Sequence, residues 1–242
     1  MKTKSIILAV AVACAAILSQ EAKAQFRVGL GYSLGADKMK FDNTINKTKL
    51  HGFNIAASYN FNLLEDSWGN LGIEPGIMYN FVSEGTKDTE AGITVKESTN
   101  EHYLDIPVNV KYGYDIVPEI FGAYVFAGPV FSFGVASQTN FSISGKAGNN
   151  SFKGEAVIHN YSGKVTSSDL SGPFLDEINK QAQGTEYGWF DFKIGIGLGL
   201  KIVESIDIRL GYNFGLVNRY TGDTKGLKHK TDLLYVGLGY NF

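Results

Sequence analysis

The side chains able to do chemistry are few and dispersed. The four histidines, His51, His102, His159 and His229, have no His partner at i+2 or i+4, spacings that set two metal ligands side by side. The single cysteine, Cys14, lies in an apolar run near the N-terminus. Beyond that run the chain offers no thiolate, disulfide or Cys metal ligand. Ser98 and Glu101 stand near His102 in sequence, but nothing pairs a nucleophile with a base. Gly195-Ile196-Gly197-Leu198-Gly199 superficially suggests a nucleotide loop. Such a loop needs Gly-x-Gly-x-x-Gly at a strand-to-helix turn, whereas these glycines repeat every second residue and form one small face of a strand. The chain is read as non-enzymatic, with no catalytic set, metal site or cofactor. What is regular is a series of charges, Arg27, Glu74, Asp105, Lys111, Asp191, Lys193, Lys201, Asp207 and Arg209, nearly all set inside runs of alternating polarity.

Those runs are the elements that must position the charges. Phe26, Val28, Leu30, Tyr32 and Leu34 alternate with small or polar residues, as do Phe53 to Phe61, Leu71 to Phe81, Leu104 to Tyr112, Phe192 to Ile202, Ile206 to Leu216 and Leu234 to Phe242. Period two with one apolar face reads as a strand. An eighth run covers residues 121–136, where Tyr124 and Phe126 lie on one face and Phe131, Phe133 and Val135 on the other. A bulge at Gly128-Pro129 is the expected cause of that change of phase.

The chain has 242 residues, 29 of them Gly, with 13% aromatic and only 19% charged residues. That composition suits Gly- and aromatic-rich β structure, and a net charge of −2 gives no footprint for nucleic acid. Lys2 and Lys4, the apolar residues 6–18 and Ala22-Lys23-Ala24 read as a secretory signal peptide over residues 1–24, leaving 25–242 as one domain. A lipoprotein reading at Ala13-Cys14 is the alternative. No later stretch is apolar enough for a membrane helix.

Connections around 62–70, 113–120 and 203–205 are short; those around 36–49, 83–100, 137–187 and 218–231 are long. Strands of about 10–13 residues, short turns on one side and long loops on the other predict an eight-stranded antiparallel up-and-down transmembrane β-barrel. Its long loops face the cell exterior. Aromatics near strand ends, such as Tyr59, Phe61, Tyr79, Phe81, Tyr212 and Phe214, fit interfacial girdles. A secreted β-sandwich is the competing fold. The polar face then lines a lumen that eight strands leave just wide enough for side chains to fill. The nine charges become either a salt-bridge network that seals the barrel or the walls of a narrow ion path.

A family resemblance supports the barrel. Tyr103-Leu104-Asp105-Ile106-Pro107-Val108 resembles the Tyr-Leu-Glu-Ile-Pro-Leu signature of the outer-membrane β-barrel domain family of Bacteroidota, the PorT-like group. Ala127-Gly128-Pro129, Phe190-Asp191-Phe192, the alternating glycines at 195–199 and the terminal Gly239-Tyr240-Asn241-Phe242 are also similar. The resemblance implies the fold and an outer-membrane location. It also implies that Tyr240 and Phe242 form the terminal signal read by the outer-membrane insertion machinery. The family's named member assists secretion and sorting, and no residue here carries that role across.

Two loops invite contact readings. In the 137–187 connection, residues 171–180 read as a short helix with Pro173 in its first turn and a stop at Gly184. Phe174 and Ile178 share its apolar face, which would cap the barrel, meet a protein partner, or pack on the rim beside strands that extend above the membrane. Arg219, Lys225, Lys228, His229 and Lys230 gather in the last long loop, as a solvated basic stretch or a contact to lipopolysaccharide phosphates. The leading expectation is a structural or adhesive protein, or an accessory of an envelope complex, acting through its extracellular loops. A small channel and a lipid-modifying enzyme are the alternatives. The expected partners are outer-membrane lipids, the insertion machinery and a protein at the loops, with no nucleic acid.

Overall fold

The computed structural model describes residues 25–242 apart from 42–43, 91, 119, 148–149, 169–171, 183–186, 204 and 223–225. The signal-peptide reading of residues 1–24, Gly184 and Lys225 therefore fall outside the described residues. Ten strands form in chain order: β1 (Gln25–Phe41), β2 (Thr44–Asp66), β3 (Gly69–Glu90), β4 (Ile93–Val117), β5 (Phe121–Ala147), β6 (Asn150–His159), β7 (Lys164–Ser168), β8 (Phe190–Ile202), β9 (Ile206–Gly215) and β10 (Lys228–Asn241). Among the described residues one helix, α1 (Pro173–Ala182), precedes β8. The pairing order β4-β3-β2-β1-β10-β9-β8-β5, closed by β4 against β5, makes an eight-stranded antiparallel ring, with β6 and β7 attached above it along β5. Closure leaves the membrane-spanning sheet no edge.

Alternation decides which face meets what. On β10, Leu234, Val236, Leu238 and Tyr240 point outward, and Leu238 is 60% exposed, whereas Tyr235 is buried. The same holds around the ring: Leu30, Ile55, Ile77, Val110, Val125, Leu198 and Leu210 all face outward. A continuous belt of this kind far exceeds the apolar patches that soluble monomers expose, and it is stable only in lipid. Aromatic girdles bound it. Tyr59 and Phe61 (ring centroids 4.7 Å) and Tyr240 and Phe242 (4.8 Å) lie beside the short turns and both chain ends. Tyr32, Phe53, Phe81, His102, Phe133 and Trp189 mark the outer edge of the membrane-spanning segments.

Two sequence expectations need correction. Gly128-Pro129 is no bulge: β5 pairs with β8 from Phe121/Ile202 to Phe133/Phe190 without a shift. Tyr124 and Phe126 simply face the lumen while Phe131 and Phe133 face lipid. Glycines opposite them give the room, since a Cβ at Gly197 would overlap the Phe126 ring and one at Gly199 the Tyr124 ring. The register shift lies higher, where β4 steps between His102/Tyr103 against Ala136/Gly134, leaving Val135 extra. The long connection around 83–100 is also mostly not a loop, and extended strands fill much of 137–187. Paired strands continue above the outer girdle, with β3 and β4 still paired at Glu90/Ile93 and β4 and β5 at Thr94/Ser144. In the 137–187 connection Ile178 is buried with Ala182 against Phe141, Ala156 and Ile158 of the β5–β6 hairpin, the arrangement of a helix packed beside extended strands. Phe174 lies in α1, and its side chain is outside the described residues.

Candidate functional site: the charged lumen and its outer mouth

Eight of the nine charges singled out in the sequence are buried in the lumen: Arg27, Glu74, Asp105, Lys111, Asp191, Lys193, Asp207 and Arg209. They comprise four cations and four carboxylates. Lys201 is the exception; it pairs at 3.5 Å with the half-exposed Asp115 at the periplasmic end.

The buried eight fall into layers. Near the periplasmic end, Arg27 Nε donates to both Asp207 oxygens at 2.9 Å, and the Tyr124 hydroxyl donates to Asp207 as well. Next, Arg209 grips Glu74 with two parallel bonds, Nη1 to Oε1 at 2.6 Å and Nη2 to Oε2 at 2.9 Å, while Lys111 Nζ reaches Oε2 at 3.1 Å. The bidentate fork fixes geometry as well as charge. Arg209 Nε also donates to Tyr124 Oη at 3.1 Å, which ties the two layers. Above them Asp105 accepts from Asn80 Nδ2 at 2.9 Å and faces Lys193 Nζ at 3.8 Å. Lys193 in turn sits over the Tyr103 ring. Asp191 Oδ1 accepts from the Val217 amide at 3.4 Å.

The network leaves little space. One cavity of about 30 Å³ is lined by Arg27, Ser58, Glu74, Asn109 and Arg209. A second of about 30 Å³ lies toward the periplasm beside Asn60, Lys111, Tyr124 and Lys201. Each has room for one or two waters, and the Glu74, Arg209 and Tyr124 side chains stand between them. Ser58 Oγ and Asn109 Oδ1 have no protein partner and face the first cavity, so it is polar enough to hold water.

A further cluster closes the outer mouth. Arg219 is buried, not solvated as the last-loop reading expected. It donates to Tyr103 Oη at 3.0 Å, Thr231 Oγ1 at 2.7 Å and the Gly188 carbonyl at 3.0 Å. Glu101, one residue beyond the outer girdle, accepts from Tyr103, from Tyr187 at 2.6 Å and from Ser137 at 3.2 Å. Burial, and then the nearby Asp37 carboxylate, hold the Glu101 carboxyl above its usual range. His229 also faces inward, 3.5 Å from Asp37 Oδ2. The trio Ser98, Glu101 and His102 is not assembled. Alternation sends Glu101 to the mouth and turns His102 outward, where its Nδ1 meets Tyr79 Oη at 2.6 Å.

Asp37 gives a pH prediction. Burial acts to raise its pKa, but the His229 hydrogen bond and the His229 and Arg219 charges outweigh this and leave it lowered. A lowered folded pKa means a stabilising contribution present above the unfolded value of about 3.9 and lost as pH falls through the folded value. Thermal melting of the folded barrel between pH 5 and 2 is expected to show a smaller acid loss in Asp37→Asn than in the native chain.

A closed ring of eight strands with an apolar belt, two girdles and a charge-filled lumen defines an outer-membrane β-barrel. The sequence matches the outer membrane protein beta-barrel domain family over residues 5–242, and the chain belongs to that family. No curated protein sequence matches it. Among solved structures it is similar to Ail, the attachment invasion locus protein of Yersinia pestis, in complex with the heparin analogue sucrose octasulfate (13% identity, TM-score 0.42, 90% of this chain and 99% of that one). It is also similar to Neisserial surface protein A (12%, 0.39, 90% and 97%) and to the outer membrane enzyme PagL (11%, 0.42, 87% and 98%).

Proposed function

We propose that this protein is a sealed, non-enzymatic barrel that serves as a rigid outer-membrane support for extracellular β-hairpins, in a structural, adhesive or accessory role. The observation that carries the reading is the Glu74–Arg209–Lys111 layer with Tyr124 beneath it, which stands between two cavities of about 30 Å³ each. The hairpins add to it, since β3–β7 extend as one sheet above the girdle with α1 packed against β6 and β7. In this reading residues 1–24 direct export, outer-membrane lipids surround the belt, and Tyr240 and Phe242 are presented to the insertion machinery. The Tyr103–Val108 motif favours the PorT-like group of Bacteroidota. Its alternate residues have a physical role here, because Tyr103 anchors Arg219 and Asp105 faces Lys193.

Planar-bilayer recording tests the seal. The folded protein is expected to give no unitary currents; stable discrete currents would overturn the reading in favour of the channel. One observation favours a second, hydrolytic reading: His229 Nδ1 is buried without a partner among the described residues while the other ring nitrogen faces Asp37. That arrangement would suit a general base, but Nδ1 meets no hydroxyl. Fatty-acid release from outer-membrane lipid that His229→Gln abolishes would establish it.

A further inference from the structure

The outward face just above the outer girdle carries lysines set directly against one another. The β1–β2 and β1–β10 registers place Lys47 and Lys230 on either side of Lys38, and Lys228 opposite Lys40. Lys49 lies one row lower, on the row of Ala36 and Asp232. These positions share the parity of Tyr32, Leu34 and Leu234, so all six lysines lie on the face that the lipid-facing belt continues. Like charges directly opposite on a sheet are destabilising. Only Asp232 relieves them, through its ion pair with Lys38. Among the described residues the other five have no acidic partner. The feature recurs across the ring, where Lys87 lies opposite Lys96 on the outward face of β3 and β4.

The acids lie on the other side. Glu84, Glu97 and Glu101 occupy the inward parity of the same strands. Such a division is not what a solvated, interspersed surface needs.

Height identifies what the lysines meet. Lys49, Lys38 and Lys40 stand two to six residues beyond the row of Leu34 and His51. At about 3.3 Å per residue and a tilt of about 40°, that is roughly 5–15 Å above the apolar belt. This is the headgroup layer and the sugars just above it.

We propose that this lysine face binds the phosphate groups of a phosphorylated glycolipid in the outer leaflet, which neutralises the opposed lysines and fixes the barrel's depth and rotation among its neighbours. The inference rests on the barrel's place in the outer membrane and not on the sealed lumen, so currents in a bilayer would leave it standing.

The test uses the protein purified from outer membranes in a phosphate-free maltoside detergent, titrated with bisphosphorylated lipid A and followed by the melting midpoint of the folded form. The native chain is expected to gain thermal stability with lipid A and to gain none with its dephosphorylated form. Lys40→Gln/Lys47→Gln/Lys230→Gln is expected to weaken lipid A at least tenfold and to flatten the salt dependence. Without lipid it is expected to melt no lower than the native chain, because repulsion has been removed. Equal response to both lipids, unchanged affinity in the variant, or tighter binding of a soluble sulfated disaccharide than of lipid A would each overturn the proposal. If the triple variant fails to fold, Lys47→Gln/Lys230→Gln is read by the same criteria.

Discussion

Glu74→Leu is expected to lower the stability of the folded barrel by about 3–5 kcal/mol, the usual cost of stripping one partner from a buried ion pair. Among the described residues Glu74 is the only carboxylate in hydrogen-bond reach of both Arg209 and Lys111, and its loss leaves two cations facing each other in a closed lumen. The leucine fills part of the space and cannot compensate the charge. Urea titration of the protein in lipid vesicles measures the effect.

The origin of the loss can be separated from its size. Adding Arg209→Met and Lys111→Met to Glu74→Leu removes every charge of that layer. Replacing a buried ionic cluster by apolar side chains of similar volume is often neutral or stabilising, so the triple variant is expected to recover most of the loss. A Glu74→Leu effect within about 1 kcal/mol, typical of exposed pairs, would mean a lumen open to water and would count against the seal.

The eight-strand ring and the outward belt were legible because a lipid-facing strand must keep strict period two over its whole crossing. Leu234 to Phe242 shows that rhythm without a break. The same parity placed Arg27, Glu74, Asp105 and Arg209 on the inner face. Their pairing was not legible, because it depends on registers between strands distant in sequence: Arg209 meets Glu74 across 135 positions and Arg27 meets Asp207 across 180. The bulge at Gly128-Pro129 was expected for a related reason. Large aromatics inside so narrow a barrel are reasonable only once Gly197 and Gly199 are seen opposite them. Arg219 was named but placed in solvent, because it follows the end of β9, where parity no longer says which way a side chain points. Glu101 and Tyr103 could have been found, since both share the parity of Asp105 and Lys111.

Removing the two rings should open the lumen. Tyr124→Ala/Phe126→Ala is expected to give discrete currents in planar bilayers where the native protein gives none. Tyr124 lies beside the lower cavity and, through Arg209, under the Glu74 layer that bounds the upper one. Arg209 stands over both rings, at 5.3 Å from Tyr124 and 4.7 Å from Phe126. Without them its guanidinium loses the platform that fills the section of the barrel at that height. Large-to-small changes of this kind cost about 3–5 kcal/mol each in a core, so the folded state is verified first by its heat-modifiable migration. Tyr124→Phe is the control: it removes the hydroxyl bonds to Asp207 and Arg209 but keeps the ring. Currents in the double variant with silence in Tyr124→Phe would assign the barrier to ring bulk and not to the hydrogen bonds. Silence in the folded double variant would refute that assignment and move the seal to the outer mouth, where the buried Arg219 is held by Tyr103, Thr231 and Gly188.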